Sequence, residues 1–286
     1  MTNKLRTIVG TAVIASAVLV PVFAHAQGMP DINTLLMKTT FKIQSGDSLG
    51  SAFVLGQPVT NKAGLYSYVL ITAAHVLDSM PGENATLFLR TFDGTNYQKL
   101  PHQLQIRSNS APLYVRHAQA DVVALRAFLP VRSDLDLAGI STDLLADDKF
   151  FEDFQIHPGD EIRVLGYPFG VESHASGFPV LRSGHIASFP LLPTTQTKTF
   201  LVDLQTFRGT SGGPVFIQSD RRLQSGAINT VTVQFLLGLV SQEISHQEMI
   251  TGLDQQSVRQ HKLGLGVVVH ARFIKEVIAQ LPPANF

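Results

Sequence analysis

The sequence predicts an all-β fold, a barrel or a sandwich, from three observations. Short apolar runs rich in β-branched residues recur along most of the chain, Gly, Asn, Asp and Pro punctuate them, and helical periodicity is confined to the tail. The runs are Thr40 to Gln44, Ser51 to Leu55, Tyr66 to Thr72, Thr86 to Arg90, Val122 to Leu125, Ile162 to Leu165, Phe200 to Leu204, Val215 to Gln218 and Val233 to Val240. Between Ser141 and Glu161 the chain turns acidic and less regular, which predicts a connection over 141–160 joining a first half, 27–140, to a second, 161–286. From Ala271 to Leu281, apolar residues at 273, 274, 277, 278 and 281 form a helical stripe expected to pack on the second half.

Composition narrows the class. The 286 residues are 44% hydrophobic and 15% charged, a balance that buries a core and excludes a solvated, disordered chain. Net charge is zero and no basic stripe tracks phosphates, so no nucleic-acid partner is expected. With no cysteine, the chain holds no disulfide, thiolate zinc site, iron–sulfur centre or cysteine nucleophile.

The N-terminus carries an export address. Lys4 and Arg6 precede an apolar run from Ile8 to Phe23, followed by Ala24-His25-Ala26. That order predicts a signal peptide over 1–26 and a mature start near Gln27, with an uncleaved membrane anchor as the competing reading. The expected location is a bacterial periplasm or the extracellular space, with no membrane contact once the signal is removed.

The strongest chemical signal is Gly209-Thr210-Ser211-Gly212-Gly213-Pro214. A serine hydroxyl needs a neighbouring base to become nucleophilic, and flanking glycines let the backbone turn its N–H groups toward one point. The N–H groups of Gly209 and Ser211 are the candidate oxyanion donors. Upstream, Leu70-Ile71-Thr72-Ala73-Ala74-His75 carries a histidine at the end of an apolar strand. Ala120-Asp121-Val122-Val123 puts one carboxylate at the mouth of another, where an imidazole N–H is a suitable partner. Asp134 and Asp136 are rival acids, in a stretch whose alternation reads as exposed.

In the order His75, Asp121, Ser211, these motifs resemble the chymotrypsin-like serine peptidases, and within them the cysteine-free bacterial branch of the Deg/high-temperature-requirement proteases. Gly50-Ser51-Ala52-Phe53-Val54, Leu165-Gly166-Tyr167-Pro168 and Ser183-Gly184-His185-Ile186 extend the likeness from about Thr39 to Leu281. The resemblance implies two antiparallel six-stranded β-barrels with a C-terminal helix and the site in the cleft between them. It implies a serine endopeptidase acting on a protein or peptide, without metal or cofactor, through a covalent acyl-enzyme. By family offset it also implies a substrate pocket at Gln205, Ser241, Gln242, Glu243 and Gly266. The chain departs from the family at Thr210, where many members carry an acidic residue or asparagine, and at Ser219 to Thr230, which reads as an enlarged surface loop.

Two other readings compete. The Ser211 motif also fits the nucleophile elbow of α/β-hydrolase esterases, with Asp254 and His270 as formal partners, but that elbow must precede a helix and Val215-Phe216-Ile217 is β-prone. A barrel kept as a binding protein without catalysis is the other. Metal-ligand spacing is missing among His246, His261 and His270.

Overall fold

The computed structural model describes residues 31–58, 66–130, 132–220, 222–225, 227–228, 232–251 and 256–283; the predicted signal segment and Asp254 lie outside the described residues. The described residues begin with helix α1 (Ile32–Thr39), capped by the Asp31 carboxylate accepting from Thr34 N at 3.1 Å. Strands β1 (Thr40–Ser45), β2 (Ser48–Pro58) and β3 (Tyr66–Thr72) follow, then the short helix α2 (Ala74–Asp78). β4 (Asn84–Phe92), β5 (Tyr97–Gln105), β6 (Arg107–Ser108), β7 (Ala111–Pro112), β8 (Val115–Arg116) and β9 (Val123–Arg126) complete the first half. Its antiparallel sheet runs β5-β4-β1-β2-β3-β9-β8, seven strands where six are implied, because the two-residue β8 adds itself beside β9.

The acidic connection is partly helical. Asp147 caps α3 (Asp148–Asp153) by accepting from Phe150 N at 3.0 Å, and α3 buries Phe150 and Phe151. The second half contains β10 (Glu161–Gly166), β11 (Val180–His185), β12 (Thr199–Val202), β13 (Pro214–Ser219), β14 (Leu223–Gln224), β15 (Ala227–Ile228), β16 (Val233–Thr251) and β17 (Gln256–His270). Its sheet runs β11-β10-β13-β16-β17-β12, and an Ile186–Val202 bridge joins the outer strands into a closed barrel. The predicted loop over 219–230 carries the small β14–β15 hairpin.

The first barrel shows why alternation matters. Ala85, Leu87 and Leu89 of β4 are buried, while Thr86 and Phe88 between them are half-exposed. Arg90 breaks that pattern: it is fully buried, with no carboxylate partner among the described residues. Its guanidinium donates to the carbonyls of Met37, Lys38, Thr40 and Gly177, and lies over the Phe41 and Phe178 rings. Tyr167 from the second half donates its hydroxyl toward two of the same carbonyls, Thr40 and Gly177.

The tail forms helix α4 (Ala271–Ala279) as its stripe predicts, but it does not belong to the second barrel alone. Phe273, Ile274, Val277 and Ile278 join the core of the first barrel, and the helix contacts β8, β9, β16 and β17. It leaves the end of β17 at the seam, where its apolar face covers both halves. Burying each such side chain contributes roughly 1.5–3 kcal/mol. Glu276 accepts from His117 Nε2 at 3.1 Å, and Arg126 donates to Pro282 O at 2.8 Å.

His270, the last residue of β17, is 1% exposed between the rings of Phe151 and Phe200. Neither ring nitrogen has a hydrogen-bond partner among the described residues. Burial pushes its pKa down to about 4. A histidine protonated more readily unfolded than folded adds stability that is complete above about pH 6.5 and falls away as the pH drops toward 4. His270→Phe should remove that pH dependence and raise stability at neutral pH by about 1–2 kcal/mol, since unsatisfied ring nitrogens disappear from the core. Urea unfolding of both proteins at pH 4.5 and 7.5 checks this; equal wild-type stability at the two pH values would contradict it.

Candidate active site

His75 lies one residue into α2, just past β3, rather than on the strand itself. Ala73 and Ala74 before it are fully buried, which lets the helix start against the barrel wall while the imidazole stays exposed. Asp121 sits in the turn before β9, and Ser211 in the turn before β13.

The carboxylate of Asp121 is held by three donors. His75 N reaches Oδ1 at 3.0 Å, His75 Nδ1 reaches Oδ2 at 2.7 Å, and Ser241 Oγ donates to Oδ2 at 2.6 Å. Burial pushes the carboxyl pKa up, but the hydrogen bonds and charge of His75 and the Ser241 hydroxyl outweigh it and hold it at about 2. An ionised Asp121 only accepts, so Nδ1 of His75 carries the proton of that bond, and in a neutral imidazole Nε2 is then the acceptor. Asp134 pairs with Arg132 and Asp136 with Lys38, so neither rival acid reaches His75.

The Ser211 turn is fastened on every side. Within it, Thr210 N donates to Phe207 O at 2.9 Å and Gly213 N to Thr210 O at 3.0 Å. Across the sheet, Gly212 N donates to Val240 O at 2.7 Å and Val240 N to Gly213 O at 2.9 Å. From the first barrel, Ser51 N donates to Ser211 O at 2.8 Å and Ser51 Oγ to Gly209 O at 2.7 Å. Phe169 N donates to Arg208 O at 2.7 Å. The N–H groups of Gly209 and Ser211 donate to no acceptor among the described residues.

Two glycines in this turn are sterically required. Both have left-handed backbone, Gly209 at φ +92° and Gly212 at φ +85°, and a Cβ on either would overlap backbone of another segment: Tyr167 O for Gly209, Ser51 O for Gly212. A Cβ on Gly212 would also lie 3.1 Å from Ala73 N, so the residue after Ser211 rests on the segment that leads into His75. Val240, bonded to Gly212, is followed by Ser241, bonded to Asp121. The Ser211 turn, the segment leading into His75 and Asp121 are thus linked through short contacts.

Residues 50–223, more than half of the chain, match the profile of the trypsin-like peptidase domain. The chain belongs to that family. Among solved structures it is similar to Rv3671c from M. tuberculosis H37Rv, with 16% identity over 90% of this chain and 92% of that one and a TM-score of 0.43. It is also similar to the protease Anisep from Arthrobacter nicotinovorans, with 16% identity over 87% of this chain and 96% of that one and a TM-score of 0.46. No curated protein matches by sequence.

In this trypsin-like peptidase domain the other sequence-predicted residues separate. Gln205 is exposed and its carbonyl accepts from Arg182. Ser241, read as pocket lining, spends its hydroxyl on Asp121, and Gln242 is exposed. Glu243 and Gly266 face each other across β16 and β17. His270, the esterase histidine, is sealed in the second core, and Ser211 leads into strand β13 instead of a helix, so the elbow geometry is not formed. Sequence reading gave no role to Ser51, a fully buried residue whose only signal is its place in Gly50-Ser51-Ala52.

Asp121 should titrate at about 2, and Ser241→Ala, which removes one of its donors, should raise that midpoint by about one unit. A carboxyl-carbon NMR titration checks both, and an unmoved midpoint in the variant would sever Ser241 from this role. Because the folded value lies below the ordinary 3.8, the stability it adds is present above pH 4 and lost as the pH falls through 2.

Proposed function

We propose that the protein is an exported serine endopeptidase, with Ser211 as nucleophile, His75 as general base and Asp121 positioning the histidine. The observation that carries this reading is the linkage of the Ser211 turn to both other groups, through Gly212 on Ala73 and through Val240-Ser241 on Asp121. In the proposed reaction, His75 Nε2 takes the Ser211 proton as Oγ attacks the peptide carbonyl carbon. The carbonyl oxygen becomes negative beside the N–H groups of Gly209 and Ser211. Each such donor contributes about 3–4 kcal/mol in comparable sites. The protonated histidine then gives its proton to the leaving amine, and water, activated the same way, hydrolyses the acyl-enzyme.

The arrangement of Arg208 supports a ready oxyanion site. In a trans peptide the C=O and N–H point in opposite directions, so holding Arg208 O on Phe169 N turns the Gly209 N–H away from Phe169. The turn is ordered by its own hydrogen bonds around Thr210, a buried neutral residue that offers no anion to an inserted N-terminus.

A fluorophosphonate probe should modify Ser211 in the purified protein, and peptide mapping identifies the labelled residue. No label would favour the non-catalytic binding reading. Ser211→Ala should lower kcat about 10⁶-fold and Asp121→Asn about 10⁴-fold, the latter by leaving the histidine in the wrong tautomer. With Asp121 ionised down to about 2, the acid limb of kcat/KM should show one proton, a slope of 1; a slope of 2 between pH 4 and 7 would mean a second essential group titrates there.

Export and cleavage near Gln27 rest on the Lys4 to Ala26 pattern. Intact mass of protein from its native host should give that mature start. A chain beginning at Gln27 and one bearing an N-terminal tag should cleave substrate equally, and a tagged protein inert until trimmed would overturn self-ordered assembly of the turn.

A further inference from the structure

The loop that carries Asp121 is closed by a side chain as well as by the strand ladder. β8 and β9 pair Arg116 with Val123, and one step further His117 N donates to Val122 O at 3.0 Å, which leaves 118–121 as the loop between them. Ala118 and Gln119 are exposed and Ala120 is half-buried, so the loop packs little of itself against the barrel. Val122 N turns back onto Ala120 O at 2.9 Å, a three-residue turn with Asp121 at its centre. Across the base of the loop, Gln119 N donates to Nδ1 of His117 at 3.1 Å. Among the described residues no other side chain bonds the backbone of 118–121.

The His117 ring is itself fixed from the other side. A backbone N–H on Nδ1 requires that nitrogen to be bare, so in the neutral ring the proton lies on Nε2, which donates to Glu276 Oε2 at 3.1 Å. His75 has the reverse arrangement, with its proton on Nδ1. Glu276 belongs to α4, and its second oxygen, Oε1, accepts from Arg272 Nε at 2.8 Å. Phe273 of the same helix meets the imidazole edge-on, 5.1 Å between centroids, and His117 is 8% exposed. Turning the ring would break two hydrogen bonds at once, in a space that α4 already fills.

We propose that His117 is a positioning residue for the candidate acid: held by Glu276 and Phe273 of α4, its Nδ1 closes the 118–121 loop and sets where the Asp121 carboxylate meets His75 and Ser241. The proposal deepens the peptidase reading and rests on it. His75 and Ser241 grip the carboxylate at its tip, from α2 and β16, while His117 fixes the backbone behind it. Gripped at tip and base, the acid has few other places to go, and displacing a catalytic group by 1 Å can cost about 100-fold in rate. The C-terminal helix thereby reaches the site without touching it.

The test uses the full chain. His117→Phe keeps a ring against Phe273 and removes both hydrogen bonds; it should lower kcat about tenfold, the scale of one or two hydrogen bonds, with KM within about twofold. The Asp121 carboxyl midpoint, about 2 in the wild type, should rise by about half a unit or more as its donors lose alignment. His117→Asn returns an acceptor to Gln119 N, since an asparagine side chain bonds the backbone two residues on, and should restore kcat to within about threefold of wild type. Equal falls in both variants would reduce His117 to packing and overturn the proposal, as would an unmoved kcat and midpoint in His117→Phe. Nitrogen NMR of the wild type needs no variant: the neutral His117 ring should show a bare Nδ1 and a protonated Nε2, and the reverse tautomer overturns the proposal even where a variant fails to fold. Fluorophosphonate labelling separates the two failures. Label at Ser211 with kcat unchanged in His117→Phe rejects only the positioning role, whereas no label in the wild type rejects the peptidase reading and this role with it.

Discussion

The site depends on a backbone-to-backbone contact between the two halves of the molecule. Where the Ser211 turn meets the first barrel, Gly212 lies against the carbonyl of Ser51; within the second half, Gly209 lies against that of Tyr167. No side chain fits in either gap. Ser51 converts this proximity into hydrogen bonds, giving its N–H to Ser211 O and its hydroxyl to Gly209 O, while accepting from Tyr167 N at 3.1 Å. A turn held through its own backbone has few ways to relax, and that is the preorganisation an oxyanion site requires.

Arg90 and Tyr167 hold the same seam at a second point. Arg90 brings a full charge into the interior and meets it with carbonyl dipoles, from the end of α1, the start of β1 and Gly177 of the second half, and with the faces of Phe41 and Phe178. Burial pushes its pKa below the ordinary value, yet a guanidinium so far above neutrality stays charged. Replacing it with an apolar residue would take from the Met37 and Lys38 carbonyls the donor they share and leave those of Thr40 and Gly177 to Tyr167 alone. Its effect is to fix where the segments cross, and with them the entry of the 168–170 turn that carries Phe169. Through Phe169 N on Arg208 O, this second fastening reaches the Ser211 turn.

Histidine behaves oppositely at its two most informative positions. His75 is exposed and anchored through Nδ1 to an ionised carboxylate, so its environment directs one ring nitrogen and leaves the other available. His270 is sealed among aromatic rings with neither nitrogen matched, and burial drives it toward the neutral form. Solvent access and a single partner, rather than residue type, separate a candidate base from a core residue.

The sequence by itself determined the strand-rich fold, the places of β1–β4, β9, β10, β12, β13 and the first part of β16, and the three residues at the candidate site, while β5, β11 and β17 carried no run that it singled out. Apolar alternation reports burial on one face, and glycine-flanked Ser211, alanine-flanked His75 and strand-leading Asp121 each carry a local backbone signature. It also predicted helix α4, because its stripe is periodic. Only the tertiary structure decided which surface that stripe covers, since periodicity states that a face is apolar and is silent about its partner. The same limit separates the role of Ser241 from its predicted one: a hydroxyl in the middle of a strand has no local sign of bonding to a carboxylate 120 residues away. Local chemistry is written in neighbouring residues; the meeting of distant groups such as Ser241 and Asp121 is a property of register and packing, which no short stretch of chain contains.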